Sequence, residues 1–421
     1  MSDNNRKSYE LFEEAKTVMP GGVQRSRHPL NFTGDYPVFM HRGKGSHVWD
    51  ADGNEYVDWL LSYGPIILGH QSSVADEAVI NEMNKGFLLD LTQELQVELA
   101  RKLCGLIPSA EKALFVNTGS GATSAAVRLA RIHTGRDVII RWGYHGWHDW
   151  CCPDPEAGIP RSTRDLVKTF QYNNLDSLAR VLEENKNKVA CVIMMPFEIE
   201  LPDPGFLEGV RELTNQHKTV LIFDEVRSWP RMGLGGAQSY FKVIPDMTTL
   251  SKGIANGYPI SAVVGKSEIM ECVTKTTVSA TYFPSTIGIA AALATLGEIE
   301  KKNTIEHLWK IGGLLCDGLK RIIEDKRVKA AVMGFPVMPF LIFGAEDDYK
   351  GVWYEKLYHE GTVGTEKDRL LLDRFYSGTV NRGIFFHPRH HWFSCHSHTE
   401  EDVRRTIKAA EESLDLALRE T

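Results

Sequence analysis

The stretch Thr219-Val-Leu-Ile-Phe-Asp224-Glu225-Val226 is an apolar strand pattern that ends in two acids. A continuous apolar run is typical of a strand buried on both faces of a mostly parallel sheet. Such sheets place ligands at the carboxyl ends of their strands. The stretch therefore predicts a central strand with Asp224 at a ligand-binding edge. Taken alone, an acid at a strand end is at least as often a helix cap or a salt-bridge partner.

Strand and helix patterns alternate on both sides of this stretch, from about residue 76 to residue 290. The other predicted strands are Ala113–Val116, Val138–Arg141, Ala190–Pro196, Met247–Leu250 and Ile260–Gly265. The predicted helices between them are Ala122–His133, Leu175–Asn185 and Phe206–Gln216. Alternating units of this kind predict an α/β fold with a mostly parallel central sheet.

The two ends of the chain have a different pattern. The C-terminal part carries two long helix patterns, Leu308–Asp325 and Thr399–Leu418, around short strands such as Val337–Ile342. The N-terminal part has a helix pattern at Ser8–Met19, followed by hairpin-like sequence. We expect these ends to form a smaller α+β domain together. The predicted domain boundaries give an N-terminal segment at 1–60, a large domain at 61–297 and a C-terminal part at 298–421.

Composition excludes several classes of protein. The 421 residues carry a formal net charge of −7 without a dominant run of Lys and Arg, so a nucleic-acid partner is not expected. No apolar stretch is long enough to span a bilayer, and the first 16 residues lack the apolar core of a signal peptide. The seven cysteines have no CxxC spacing, which fits a reducing compartment. We expect a cytoplasmic protein without a membrane partner.

Lys252 stands between Ser251 and Gly253 at the end of a predicted strand, 28 residues after Asp224. This position is not typical of a solvated lysine on a helix face. A lysine that attacks a carbonyl must lose its proton, which burial and nearby cations favour. An acid is then able to hold a protonated pyridine nitrogen, which makes the ring an electron sink.

Two further motifs follow predicted strands. The loop Val116–Ala122 opens a helix, and backbone amides at a helix N-terminus suit a phosphate group. Taken alone, this loop is better explained as a tight strand-to-helix turn. The triplet Tyr144-His145-Gly146 offers an aromatic ring that stacks on a flat cofactor or packs in the core.

These motifs, in this order, resemble the class III (fold type I) aminotransferases that depend on pyridoxal 5′-phosphate (PLP). The similarity is greatest to the glutamate-1-semialdehyde 2,1-aminomutase-like branch and runs almost end to end. The other segments that show this similarity are Pro20–Val23, Arg42–Ser46, Trp49–Asn54, Gly64–His70, Phe223–Val226, Pro245-Asp246 and Leu250–Ile260. The resemblance implies PLP fold type I: a large PLP-binding domain with a mostly parallel sheet and a smaller α+β domain.

By this resemblance Lys252 forms the Schiff base with the cofactor and shuttles protons, while Asp224 pairs with the pyridine nitrogen. Tyr144 stacks on one face of the ring and Val226 packs on the other. The remaining implied cofactor contacts are Gly119, Ser120, His145 and Thr281. Because the family threonine reaches the phosphate of the neighbouring subunit, the resemblance also implies a homodimer with shared active sites.

Substrate contacts are expected from an aromatic that lines the pocket in this branch and from arginines near the expected pocket. The candidates are Tyr63, Arg25, Arg27, Arg227 and Arg389. A guanidinium fork matches a carboxylate, phosphonate or sulfonate. For each arginine taken singly, a surface salt bridge is about as frequent an explanation.

Three departures from the family pattern remove acids from the expected pocket. They are Gly121 in the phosphate loop, Met195 before Pro196, and the segment Phe386–Ser394. We therefore expect a less negative pocket and a more anionic substrate. The histidines near this segment lack a supporting cysteine or carboxylate framework, so we expect no metal site.

The leading functional hypothesis is an aminotransferase that acts on a small amino acid or amino-carbonyl compound with an anionic group. The alternative is a PLP-dependent ammonia-lyase or 2,1-aminomutase, acting on a β-amino acid or an amino-phosphonate. Both use the same lysine. A non-catalytic relative is disfavoured because Lys252, Asp224 and Tyr144 are all present.

Overall fold

The computed structural model describes residues 5–24, 30, 36–151, 158–346, 349–350 and 363–421. The chain divides into two compact units. One is Ser73–Ile305, and the other combines Met1–Ser72 with Glu306–Thr421. The domain boundaries predicted from the sequence stay a prediction.

The unit Ser73–Ile305 is built around a seven-stranded sheet. In spatial order its strands are Lys112–Val116, Ser261–Gly265, Met247–Leu250, Val220–Asp224, Val189–Met194, Val138–Trp142 and Val167–Thr169. All pairings are parallel except those of Ser261–Gly265, which is antiparallel to both of its neighbours. The predicted α/β fold with a mostly parallel sheet is confirmed.

The apolar runs form strands because both faces of this sheet are covered. Ile222 packs in one apolar cluster, with Ile139 and Ile193. Its neighbours in the strand, Leu221 and Phe223, point to the opposite face and pack in another cluster. Alternate residues thus fill two cores, which is why no polar position interrupts the run.

Helices connect and cover the strands of this unit. They are Ser73–Met83, Glu94–Leu106, Gly119–Thr134, Arg161–Arg164, Leu175–Glu184, Phe206–Gln216, Gly236–Phe241, Ser267–Met270 and Thr286–Lys301. The helix Thr286–Lys301 lies outside the predictions because it is apolar on most of its surface and has no amphipathic period.

The other unit joins the two ends of the chain. Its four-stranded sheet has the order Met40–Lys44, His47–Asp50, Glu55–Asp58 and Ile384–Phe385. Ile384 pairs with Val57 in a parallel register, so the C-terminal part completes the N-terminal hairpins as predicted. Ala330–Met333 and Phe340–Phe343 form a two-stranded sheet. Its α-helices within the described ranges include Arg6–Val18, Thr304–Lys326, Glu366–Asn381 and Glu400–Glu420.

None of the helices in the described ranges combines the length and the apolar character that crossing a bilayer requires.

Candidate active site

Asp224 is the last residue of its strand, and the next strand presents Thr249 beside it. The hydroxyl of Thr249 donates to Asp224 Oδ1 at 3.0 Å. The backbone N–H of Val226 donates to the same oxygen at 3.1 Å. These two contacts fix the orientation of a carboxylate that is 3% exposed.

His145 holds the other oxygen of this carboxylate. Its Nδ1 lies 2.7 Å from Asp224 Oδ2, and its side chain is fully buried. The Thr123 hydroxyl donates to the backbone carbonyl of His145 at 2.7 Å, which ties the loop to the helix that begins at Gly119. The ring of Trp150 lies parallel to the His145 ring, with 6.3 Å between centroids. The strand-end acid is therefore held by three polar contacts.

Lys252 begins a short 3₁₀ helix, Lys252–Ala255, directly after the neighbouring strand. Its φ of +43° lies in the left-handed region, which is uncommon for a residue with a side chain. Within the described part of the chain its ammonium group makes no hydrogen bond or ion pair. Burial and the guanidinium of Arg227 hold the pKa of Lys252 well below its ordinary value, against the opposing pull of Asp224 and Glu198. A neutral, unpartnered amine is the nucleophilic form of lysine.

Arg227 and Glu198 form a buried ion pair in the same unit. The Arg227 guanidinium donates to Glu198 Oε1, and both side chains are almost fully buried. Arg231 is buried completely and adds to the positive field around Lys252. The sequence suggested Arg227 as a substrate contact, and the guanidinium is held by Glu198 instead of facing open solvent. A role for Arg227 towards substrate stays a prediction.

The loop at Gly119 lies beside the lysine strand, which is the strand Met247–Leu250 together with Ser251 and Lys252. A side-chain carbon at Gly119 would lie 2.9 Å from Val226 Cγ1 and 3.6 Å from Ser251 Cβ. The Thr118 hydroxyl caps the helix Gly119–Thr134 by accepting from the N–H of Gly121 at 3.0 Å. The first-turn N–H groups of Gly119 and Ser120 have no partner inside the helix, so they suit an anion.

Gly146 brings the loop after the strand Val138–Trp142 against the same helix terminus. Its φ is +118°, and a side-chain carbon there would collide with the Ser120 side chain. Tyr144, two residues earlier, is 44% exposed, so it presents ring surface to solvent. The predicted cofactor contacts around Asp224, Lys252 and Ser120 are thus brought together by one edge of one sheet.

The structure describes three of the other predicted residues, namely Thr281, Tyr63 and Arg389. Thr281 is exposed in the turn at residues 281–284 of the same unit. Tyr63 belongs to the other unit, where its ring contacts His387 and His390 with centroids 5.5 and 4.8 Å away. Arg389 is also in that unit, and its Nη2 lies 3.9 Å from Asp373 Oδ1. Arg25 and Arg27 lie outside the described residues.

Two residues of the site were not suggested by the sequence. Thr249 is identified only by the register that places it opposite Asp224. Glu198 lies three residues after Met195, the position where the family usually has an acid. This nearby acid was the feature of the sequence from which Glu198 could have been suggested.

The histidines of the C-terminal segment are engaged in packing and backbone contacts. His391 Nδ1 lies 2.8 Å from the Met338 carbonyl, and His398 Nδ1 accepts from the N–H of Cys395 at 3.0 Å. Across the described ranges no group of three or more His, Cys, Asp or Glu side chains is placed to hold a metal ion.

Comparison with known proteins agrees with this arrangement. The model of the class-III aminotransferase family matches residues 31–339. The chain belongs to this family.

Two curated relatives and one solved structure indicate the range of its neighbours. A 3-aminobutyryl-CoA aminotransferase of Cloacimonas acidaminovorans is 43% identical over 97% of this chain and 96% of its own. A glutamate-1-semialdehyde 2,1-aminomutase of Methanothrix thermoacetophila is 36% identical over 96% of each chain. The FumI protein of Sphingopyxis sp. MTA144, solved in its PLP internal aldimine form, superimposes with a TM-score of 0.88. It is 28% identical, over 98% of this chain and 97% of that one.

The chain is accordingly a PLP enzyme, and its residues fit the cofactor. Lys252 offers an amine without a hydrogen-bond or ion-pair partner among the described residues, and Asp224 is a buried acid fixed by His145 and Thr249. At Gly119 a side chain would fill the space between Val226 and the lysine strand. An aldehyde, a ring nitrogen and a phosphate each have a matching group at this sheet edge.

Proposed function

We propose that this protein is an aminotransferase whose substrate carries its amino group on the β carbon of an acyl thioester. The residues around Lys252 support PLP chemistry, and the 43% identity to a 3-aminobutyryl-CoA aminotransferase supports the reaction and the substrate class. Such a thioester is an amino-carbonyl compound with anionic groups, as expected from the loss of acids at Gly121 and Met195.

The cofactor supplies an aldehyde that accepts an amino group and a ring that withdraws electrons from the substrate carbon. Asp224 would keep a proton on the ring nitrogen, which would strengthen that withdrawal. His145 and Thr249 hold the Asp224 carboxylate in one orientation. Gly119 and Ser120 would bind the phosphate through backbone N–H groups and the Ser120 hydroxyl, and Val226 and Tyr144 would enclose the ring.

Lys252 Nζ acts as the base. With the cofactor bound, this amine in its neutral form would take the proton from the substrate carbon that bears the amino group and hold it at Nζ. Burial and Arg227 keep this amine neutral at a pH where an exposed lysine is charged. In the second half-reaction the same nitrogen would move a proton in the opposite direction.

The other residues and the setting complete the proposal. Tyr63, Arg25, Arg27, Arg227 and Arg389 are the candidate substrate contacts. We propose a homodimer in which Thr281 reaches the phosphate bound by the partner. The six cysteines of the described ranges are free thiols, which supports a cytoplasmic setting.

The test is a screen that scores amino transfer and ammonia release side by side, with 3-aminobutyryl-CoA as donor. We expect the cofactor absorbance to change with donor alone and to return when a keto acid is added. Stoichiometric ammonia release without an acceptor would instead establish a lyase, and an internal shift of the amino group a mutase. A Lys252→Ala protein should lose activity at least 10³-fold, to order of magnitude.

A further inference from the structure

A cavity of about 450 Å³ lies against the outer face of the helix Gly119–Thr134. Its wall includes two arginines of that helix and four residues of the loop that follows Gly146, namely Arg128, Arg131, Trp147, His148, Asp149 and Trp150. The cavity is on the same unit as Lys252 but is lined by none of the cofactor contacts.

Among the described residues, both arginines are held by backbone carbonyls and not by carboxylates. Arg128 donates to the carbonyl of Thr277 at 2.8 Å, and Arg131 donates to the carbonyl of Asp137 at 3.0 Å. Neither guanidinium has a carboxylate partner among the described residues. They are three residues apart on one helix face, where like charges repel. Two anchored guanidinium groups with donors left over are suited to phosphate oxygens.

Aromatic surface stands beside these charges. Trp147 is 72% exposed, an unusual position for so large an apolar ring. Trp150 and His148 are fixed at the cavity wall by Ser124, whose oxygen lies 2.8 Å from Trp150 Nε1 and 2.7 Å from His148 Nδ1. Exposed aromatic rings beside arginines are the usual platform for a nucleotide base. Asp149 is the single acid that the described residues contribute to the wall, and the arginines outnumber it.

The distance from the cavity to the predicted phosphate contact Ser120 matches the length of the arm of coenzyme A. Along the helix, Arg128 and Arg131 are eight and eleven residues beyond Ser120, or about 12 and 16 Å at 1.5 Å per residue. The arm that joins the sulfur of coenzyme A to its diphosphate has about as many bonds as four peptide residues and extends about 14 Å. Trp150 also lies parallel to His145, so the cavity adjoins the residues that hold Asp224.

We propose that this cavity binds the phosphorylated adenosine end of an acyl-coenzyme A substrate. The inference rests on the proposed function, and it assigns the thioester's nucleotide to Arg128, Arg131 and Trp147. The adenine stacks on Trp147, and the arginines pair with the phosphates.

The test compares two donors that carry the same 3-aminobutyryl group, one on coenzyme A and one on N-acetylcysteamine, which lacks the nucleotide. For the holoenzyme we expect a lower KM with the coenzyme A ester. In the Arg128→Ala/Arg131→Ala protein this advantage should fall at least ten-fold, and in the Trp147→Ala protein several-fold. The Arg101→Ala protein, which alters an exposed arginine on another helix, should keep it.

Binding of coenzyme A alone to the holoenzyme, followed by calorimetry, separates the two proposals. If neither thioester is turned over, the proposed function is wrong, while weaker coenzyme A binding in the double variant still supports the cavity. Equal KM values for the two esters, or coenzyme A binding that the double variant leaves unchanged, would overturn the cavity assignment. An Arg128→Gln/Arg131→Gln protein repeats the test if the alanine protein does not retain the cofactor absorbance.

Discussion

Asp224 and Lys252 are brought together by strand pairing, because each stands where one of two neighbouring parallel strands ends. The separation of 28 residues predicts that both residues lie at the same edge of an α/β sheet. It does not say which residues of the two strands lie opposite each other. Register decides that Thr249, and not another residue of its strand, bonds the Asp224 carboxylate. A one-residue slip would turn that hydroxyl to the opposite face of the sheet.

The Arg227–Glu198 pair makes a testable contribution to Lys252. Glu198→Gln removes a negative charge that raises the pKa of the lysine, while the positive charge of Arg227 remains. We expect the pKa of Lys252 to fall further, because the protonated amine loses an attractive partner. The readout is the rate at which the apoenzyme takes up PLP as a function of pH, since uptake requires the neutral amine. On the acidic limb this rate should rise about ten-fold.

Glu200→Gln is the matched control, since Glu200 accepts a hydrogen bond from Asn173 and is not among the charges that shift the pKa of Lys252. If Glu198→Gln does not change the pH dependence of PLP uptake, the Arg227–Glu198 pair contributes only to packing and not to the pKa of Lys252.

At the scale of elements, helix beginnings carry much of the architecture. Thr118 caps the helix Gly119–Thr134, and Thr399 caps the helix Glu400–Glu420 in a reciprocal arrangement with Asp402. The second cap encloses His398, whose ring stacks on Trp59 with centroids 4.1 Å apart. A buried histidine in this place links the stability of the element to pH.

We expect acid to destabilise this region through His398. Burial lowers the pKa of His398 to about 4 from an ordinary value of 6.5. Because the folded-state pKa is the lower one, the unfolded chain binds the proton first, and stability present above pH 6.5 is lost as the pH falls towards about 4. The contribution is about 3 kcal/mol at most. Urea midpoints measured between pH 7 and pH 4 should fall less steeply for His398→Gln than for the wild type.

His133→Gln provides the comparison, since His133 is exposed and its replacement should leave the slope unchanged. If the His398→Gln protein loses stability with acid as steeply as the wild type, another group is responsible.

At the scale of the whole molecule, the exposed position of Thr281 raises the question of which active site it serves. The homodimer proposal assigns it to the partner's phosphate, and mixed dimers test that assignment. A dimer of one Lys252→Ala chain and one Thr281→Ala chain would contain one intact site if Thr281 acts across the interface. Co-refolding of the two inactive or weakened proteins should then recover about a quarter of wild-type activity at limiting PLP. If Thr281 serves its own chain, mixing should restore nothing.

The fold was accessible from the sequence because its signal is local and repeated. Apolar runs such as Val220–Asp224, separated by amphipathic segments, predicted the mostly parallel sheet, and six of its seven strands differ from prediction only at their ends. The helix Thr286–Lys301 and the short strand Val167–Thr169 carry no such period, and only the surrounding packing specifies them.

The sequence by itself determined the fold class, and it proposed Lys252 as the reactive lysine and Asp224 as the acid towards the cofactor, because these inferences depend on residue type and on order along the chain. Only the tertiary structure decided how Asp224 is held by His145 and Thr249, and that Arg227 is paired with Glu198. These contacts join segments that are 25 to 79 residues apart. Strand register and burial bring such segments together, and neither is recorded in the spacing of residues along the chain.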